Sequence, residues 1–302
     1  MVKRSIGFFA PSGALPDPGV MDRAAARLAG LGWRVSAGES VFAREQRFAG
    51  SDELRLAELQ RFATDPMLDV AAAARGGYGL TRLLDRIDYA AIARRAPVIV
   101  GYSDFTAFSL AYLARARGVS FQGPAATDFA RAEGSGVQAA DFLRAVEETE
   151  QELRFATGAP PLSVRGRLWG GNLSMIASLM GTPYFPKVAG GILFLEDVNE
   201  PAYRIERLLL QLLHAGVLAR QKALLLGDFT GMQDSPHDHG YGLAQAIAHV
   251  KSRCEVPFID GLPFGHGERR AALAVGAPAI LEVGEGGARL VMRSLPSVRA
   301  RG

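Results

Sequence analysis

A single cysteine, Cys254, stands in the chain. That excludes an intrachain disulfide, and no Cys/His cluster has the spacing of a structural zinc site; a reducing compartment fits this usage. Long hydrophobic runs are also missing. The apolar stretch Ile6 to Ala10 is interrupted by Gly7 and ended by Pro11, too short for a signal-peptide core, and no other run reaches membrane-spanning length. The expectation is a cytoplasmic protein with no membrane partner. An excess of one charge is lacking too: 34 basic residues against 31 acidic ones, spread along the chain, offer no basic patch for nucleic acid. Internal repeats and low-complexity tracts are absent.

What is present is the balance of a globular protein with a well-developed core, 48% hydrophobic and 22% charged over 302 residues, long enough for two domains. The first half repeats one theme: a short apolar run, a glycine-bearing turn, then helical periodicity, which predicts an α/β domain with a parallel sheet. Strands are expected at Ser5–Ala10, Trp33–Ser36, Val70–Ala74 and Pro97–Tyr102, with helices over Val20–Leu31, after Ser51, through Leu83 and Leu84, and over Phe105–Ala116. The pattern loosens through Gly134-Ser135-Gly136, an acidic helix around Glu147–Glu152, and Gly158-Ala159-Pro160-Pro161. This places a first domain at 1–150, a link at 151–165 and a second domain at 166–302. In the second, a helix follows Trp169-Gly170-Gly171-Asn172, a strand Ile192–Leu195 ends on Glu196-Asp197, a helix covers Pro201–Ala215, a strand covers Ala223–Leu226, and the tail Ala271–Arg293 reads as hairpins.

Chemistry is expected where strands end. Ser103 follows the clearest strand and opens a helix, where unpaired backbone amides and the helix dipole favour a developing oxyanion. The same placement suits a plain helix cap, and the Gly-x-Ser-x-Gly elbow is absent. Arg75-Gly76-Gly77-Tyr78-Gly79 ends another strand and opens on the same sheet edge; it is either a tight turn or a place where backbone amides approach a ligand. Its spacing is not that of a dinucleotide fingerprint. Of the five histidines, His214 and His249 fall late in predicted helices, and His237-Asp238-His239 lacks a third metal ligand. His266, between Gly265 and Gly267, is the best candidate base. An orienting carboxylate is offered by Glu196, Asp197 or Glu200, each of which could instead pair with Arg204 or Arg207.

Taken together, Arg75 to Gly79, Gly101-Tyr102-Ser103-Asp104, Trp169 to Asn172, Leu195 to Glu200 and Gly265-His266 resemble the muramoyltetrapeptide LD-carboxypeptidase family, over nearly the whole chain. The resemblance implies a flavodoxin-like N-terminal domain, a C-terminal domain mixing a sheet or small barrel with helices, and a homodimer. It implies a triad of Ser103, Glu196 and His266 divided between the domains, and an oxyanion hole from the N–H groups of Gly77 and Asp104. It implies murein tetrapeptide as substrate, cut between lysine or diaminopimelate and terminal D-alanine, with no metal or cofactor. Gln122 stands before Gly123-Pro124 where many members carry histidine.

An exopeptidase also needs a cationic or amide-rich pocket for the substrate's free carboxylate. Arg75 and Arg204 are candidates, with Tyr78, Trp169 and Asn172 as further substrate contacts. Two rival readings are a hydrolase of peptidyl or aminoacyl nucleotides like the microcin-immunity branch, with Trp169 stacking a base, and a non-catalytic small-molecule binder.

Overall fold

The apolar runs of the first half become one sheet in the computed structural model, which describes residues 4–17, 19–131, 139–233 and 236–298. Strands β1 (Ser5–Phe9), β2 (Arg34–Ala37), β3 (Val70–Ala73), β4 (Val98–Gly101) and β5 (Ser120–Gln122) run parallel in the order β2-β1-β3-β4-β5. This is the flavodoxin-type order: the chain winds one way from β1 to β2 and the other way from β3 onward, leaving a crevice beyond the carboxyl ends of β1 and β3. Every residue of β1, β3 and β4 is buried, because a parallel sheet is covered on both faces. The covering helices are α1 (Gly19–Gly30), α2 (Asp52–Thr64), α3 (Tyr89–Arg95), α4 (Thr106–Ala116) and the short α5 (Ala126–Phe129). The Ser51 side chain caps α2 by accepting from the Leu54 N–H. The run around Leu83 and Leu84 forms a single 3-10 turn, Leu80–Arg82, rather than a helix.

The second half contains α6 (Ala139–Ala145), β6 (Glu150–Phe155), β7 (Leu162–Asn172), α7 (Leu173–Ser178), β8 (Gly191–Val198), α8 (Ala202–His214), β9 (Gln221–Thr230), α9 (Leu243–Lys251), β10 (Phe258–Ile259), β11 (Leu273–Val275), β12 (Pro278–Gly284) and β13 (Gly287–Arg293). Its sheet has the order β10-β9-β8-β7-β12-β13-β6, parallel from β10 to β7 and antiparallel beyond. It is an open mixed sheet and not a small barrel, since its outer strands β10 and β6 are not paired with each other among the described residues. The tail forms the expected hairpin, β12 with β13.

Two expectations between the halves are corrected. The acidic segment Glu147–Glu152 is not a helix: Glu150 and Glu152 alternate outward on β6 and pair with Arg293 and Arg289 of β13 at 2.8 and 2.7 Å. Cross-strand pairing overrides the helical preference of glutamate. The stretch 151–165 is not a free link, because β6 and the start of β7 lie in it as strands of the second sheet. The Gly134-Ser135-Gly136 turn lies outside the described residues.

A returning strand and a close-packed glycine help to interlock the halves. β11 returns to the first sheet and pairs antiparallel with β5, Leu273 opposite Gln122. At the end of β7, Gly171 packs on α4 so closely that a Cβ there would lie 2.4 Å from Thr106 Oγ1, and Thr106 Oγ1 accepts from the Asn172 N–H at 3.1 Å. The glycine pair of Trp169-Gly170-Gly171-Asn172 is thus a packing device that brings the ends of β7 and β8 up to the helix following Ser103. Among the described residues no helix is long and apolar enough to cross a membrane.

Candidate active site

Ser103 is not a helix cap. A cap has extended backbone and a side-chain oxygen that accepts a helix N–H. Here Tyr102 holds the cap position, with φ −160°, and Ser103 begins the following turn with φ +64°. A left-handed backbone on a residue with a Cβ costs about 1–2 kcal/mol. Such strain persists only where surrounding structure enforces it, as in the strand-to-helix turns that raise a nucleophile above a sheet edge.

Gly76 leaves the room this turn needs. A Cβ at this position would lie 2.7 Å from Ser103 Cβ, 2.9 Å from Tyr102 O and 3.1 Å from Ser103 Oγ. Gly76→Ala is therefore expected to displace the serine without unfolding the sheet. A misplacement on the order of 1 Å lowers reaction rates about 100-fold, so its labelling by a fluorophosphonate should slow by about that factor while its melting temperature shifts by only a few degrees. Labelling at the parent rate would show that the two turns are not coupled.

Three strand-end turns are tied together beneath the serine. Asp104 Oδ2 accepts from Ser12 Oγ at 2.6 Å and from the Leu80 N–H at 2.9 Å, and the Gly13 N–H donates to Gly76 O at 3.1 Å. Buried Arg55 donates to Pro11 O at 2.6 Å and Gly79 O at 3.2 Å, and pairs with Asp52. Burial pushes the Asp104 carboxyl above its ordinary pKa and lowers that of Arg55. The bracing roles of Ser12 and Arg55 were not expected from the sequence, because Asp104, Pro11 and Gly79 meet them only through the fold.

The second half delivers a carboxylate and an imidazole. Glu196 is fully buried near the end of β8. Leu195 pairs with Leu226 and Asp197 with Phe229, so Gly227 and Asp228 form a bulge of β9 opposite Glu196. Bulges re-aim side chains and end regular pairing. Onto this one folds the loop 262–267: the Asp228 N–H donates to Phe264 O at 2.8 Å and the Leu262 N–H to Leu226 O at 3.2 Å. Burial raises the pKa of Asp228, which accepts from the Gly267 N–H. The loop places His266 Nδ1 2.6 Å from Glu196 Oε2. With the carboxylate ionised and the ring neutral, a proton on Nδ1 would donate to Glu196 and leave Nε2 as an acceptor.

His266 meets the serine turn through Tyr102, whose ring centroid lies 4.5 Å from the imidazole. Arg270 also packs on Tyr102, with Cζ 3.7 Å from the ring centroid. Arg270 pairs with buried Asp128 and donates to Gly265 O at 3.0 Å. Tyr102, buried and with its hydroxyl pKa raised by that burial, thus joins Ser103 to the histidine loop, a role with no local sequence signal.

Competing carboxylates are occupied elsewhere. Asp197 accepts from Asn172 Nδ2 at 2.9 Å and from the N–H and Oγ of Ser174 at 2.9 and 2.7 Å. Glu200, just before α8, pairs with Arg204 of its exposed first turn at 3.2 Å. Trp169, Asn172 and Arg204, expected to meet substrate, have partners within the protein, as does Gln122. Trp169 is only 1% exposed, its indole N–H bonded to Gln221 at 2.9 Å. Asn172 caps α7 through the Met175 N–H and holds Asp197. Arg204 is committed to its surface pair. Gln122 is buried and donates to Ser109 Oγ at 2.9 Å. Arg75, Gly77 and Tyr78 by contrast line one open cavity at the sheet edge. Among the described residues no group of three or more His, Cys, Asp or Glu side chains could hold a metal ion.

A flavodoxin-type sheet with a serine of positive φ at a strand end, joined to a mixed sheet that holds half-buried His266 against buried Glu196, defines a two-part α/β protein. The chain belongs to the LD-carboxypeptidase family: residues 6–123 match the model of the family's N-terminal domain and 165–281 that of its C-terminal domain. It is 31% identical to the murein tetrapeptide carboxypeptidase of Pseudomonas aeruginosa, over 92% of each chain. The crystal structure of muramoyltetrapeptide carboxypeptidase from Oxalobacter formigenes is 38% identical, with a TM-score of 0.89 over 97% of this chain and 100% of that one. The microcin C7 self immunity protein in complex with aspartyl sulfamoyl adenosine, 20% identical, shares the fold, with a TM-score of 0.87 over 98% of each chain.

Proposed function

We propose that this carboxypeptidase-family chain is a serine LD-carboxypeptidase that releases terminal D-alanine from murein tetrapeptide in cell-wall recycling. The observation that carries this reading is the 2.6 Å contact between His266 Nδ1 and buried Glu196, beside a serine turn with φ +64°. Ser103 Oγ attacks the carbonyl that links the L-centre of lysine or diaminopimelate to D-alanine. His266 Nε2 takes the hydroxyl proton and then gives it to the leaving amine, while Glu196 holds the tautomer and stabilises the imidazolium. The Gly77 and Asp104 N–H groups receive the oxyanion on turns made rigid by Ser12, Arg55 and Gly76. Water, activated by the same histidine, then resolves the acyl-enzyme.

A hydrolase of peptidyl or aminoacyl nucleotides is the alternative reading, and the microcin C7 self immunity protein shares the fold; Trp169, 1% exposed, adds no stacking platform to it. The deciding experiment is incubation with sugar-free tetrapeptide followed by mass spectrometry. Loss of one alanine is expected; cleavage only of a D-Ala-D-Ala bond in a pentapeptide would overturn the proposal. Sedimentation analysis tests the homodimer expected from the resemblance.

A further inference from the structure

A cavity of about 290 Å³ opens at the crevice between β1 and β3, where ligands of doubly wound sheets bind. Its walls are the turn after β1 (Gly13, Ala14 and Pro16), the loop after β2 (Arg44, Gln46 and Arg47) and the turn after β3 (Arg75, Gly77 and Tyr78). Three guanidinium groups line it and no acidic residue does. Among the described residues, none of the three arginines is ion-paired with a carboxylate. Gathering like charges without a counter-ion is unfavourable, and burial together with the charges of Arg44 and Arg47 lowers the pKa of Arg75. An anion entering the cavity would relieve both costs.

The arginine loop is also preorganised. The Ala14 N–H donates to Arg47 O at 3.0 Å, Arg44 Nη2 donates to Leu15 O at 2.8 Å, and Arg75 donates to Ala14 O. Arg47 lies over the Tyr78 ring, 5.7 Å from its centroid.

Position names the anion. In a substrate cut one residue from its end, only the peptide N and Cα separate the scissile carbon from the terminal carboxyl carbon. Standard bond lengths sum to about 4.3 Å along that path, so the carboxylate must dock beside the serine turn. Gly77 lines the cavity, and its neighbour Gly76 touches Ser103. We propose that Arg44, Arg47 and Arg75 form the site for the terminal carboxylate of the leaving D-alanine, making the enzyme an exopeptidase; this rests on the function proposed above. Of the three only Arg75 is a candidate on sequence; Arg44 and Arg47 neighbour it only through folding.

The test uses a Ser103→Ala background, so that ligand is bound and not consumed, and calorimetry with two probes: the tetrapeptide ending in free D-alanine and the same peptide ending in D-alaninamide. Charge-assisted hydrogen bonds make the free acid bind about tenfold or more tightly than the amide. Adding the Arg44→Ala and Arg47→Ala substitutions, both at exposed side chains, should bring the ratio to within about twofold of one, whereas Arg86→Ala, at a surface arginine paired with Glu53, leaves it unchanged. An acid-to-amide ratio near one before the arginines are removed, or a ratio that survives their removal, overturns the inference. Release of alanine by the parent enzyme is scored separately: if it fails while the arginine-dependent preference holds, the carboxylate site stands and the hydrolytic reading falls.

Discussion

Ser103→Ala is expected to abolish both covalent labelling by a fluorophosphonate and release of alanine from tetrapeptide, the latter by about 10⁴-fold or more, in a protein that still folds. The strained backbone makes a second comparison informative. With φ at +64°, glycine fits the position better than alanine, so Ser103→Gly should be more stable than Ser103→Ala by about 1 kcal/mol, read as the difference in urea midpoint. An inactive but more stable glycine variant is the signature of a turn held in strain for the sake of its side chain. If Ser103→Ala keeps its activity, another nucleophile operates, and if neither parent nor variant labels, the non-catalytic binder becomes the better reading.

Glu196→Gln is expected to lower kcat by about 10³–10⁴-fold with a small change in KM. The amide can donate to Nδ1 and so favours the wrong imidazole tautomer, while its volume and burial stay those of glutamate. Asp197 is the control. Its carboxylate holds Asn172 and Ser174, so Asp197→Ala leaves buried donors unpartnered and should cost about 2–4 kcal/mol of stability, with a smaller effect on kcat per folded molecule. Steady-state kinetics together with thermal unfolding separates the two outcomes. A loss of stability without loss of kcat in Glu196→Gln would reassign Glu196 to a structural ion pair.

Much of this arrangement was legible along the chain. The strand at Val98–Gly101, the Ser51 cap and the glycine turn at Gly76-Gly77 each depend on residues within one turn of one another, and short-range sterics and capping act at that distance. The acidic segment at Glu147–Glu152 was misread because helical preference is a weak local force, overridden here by cross-strand pairs with Arg289 and Arg293. The supporting roles of Ser12, Arg55, Tyr102 and Arg270 had no local signal, since each works at least in part through a partner brought in by the fold.

Local pattern was enough for the parallel first sheet and for placing a serine, a glycine turn and a flexible histidine loop at strand ends, because alternation, apolar runs and turn chemistry are written in neighbouring residues. Ser103 as cap or nucleophile, and the choice among Glu196, Asp197 and Glu200, stayed open on local grounds until the family likeness pointed to an answer. Tertiary structure supplied the geometry on which the proposed roles rest: the positive φ of Ser103 packed against Gly76, the bulge of β9 that lays the 262–267 loop against Glu196, and the hydrogen bonds already held by Asp197 and Glu200. It alone also gathered Arg44 and Arg47 with Arg75. Register and long-range hydrogen bonding select among chemically equivalent residues, and they exist only once both sheets have formed and met.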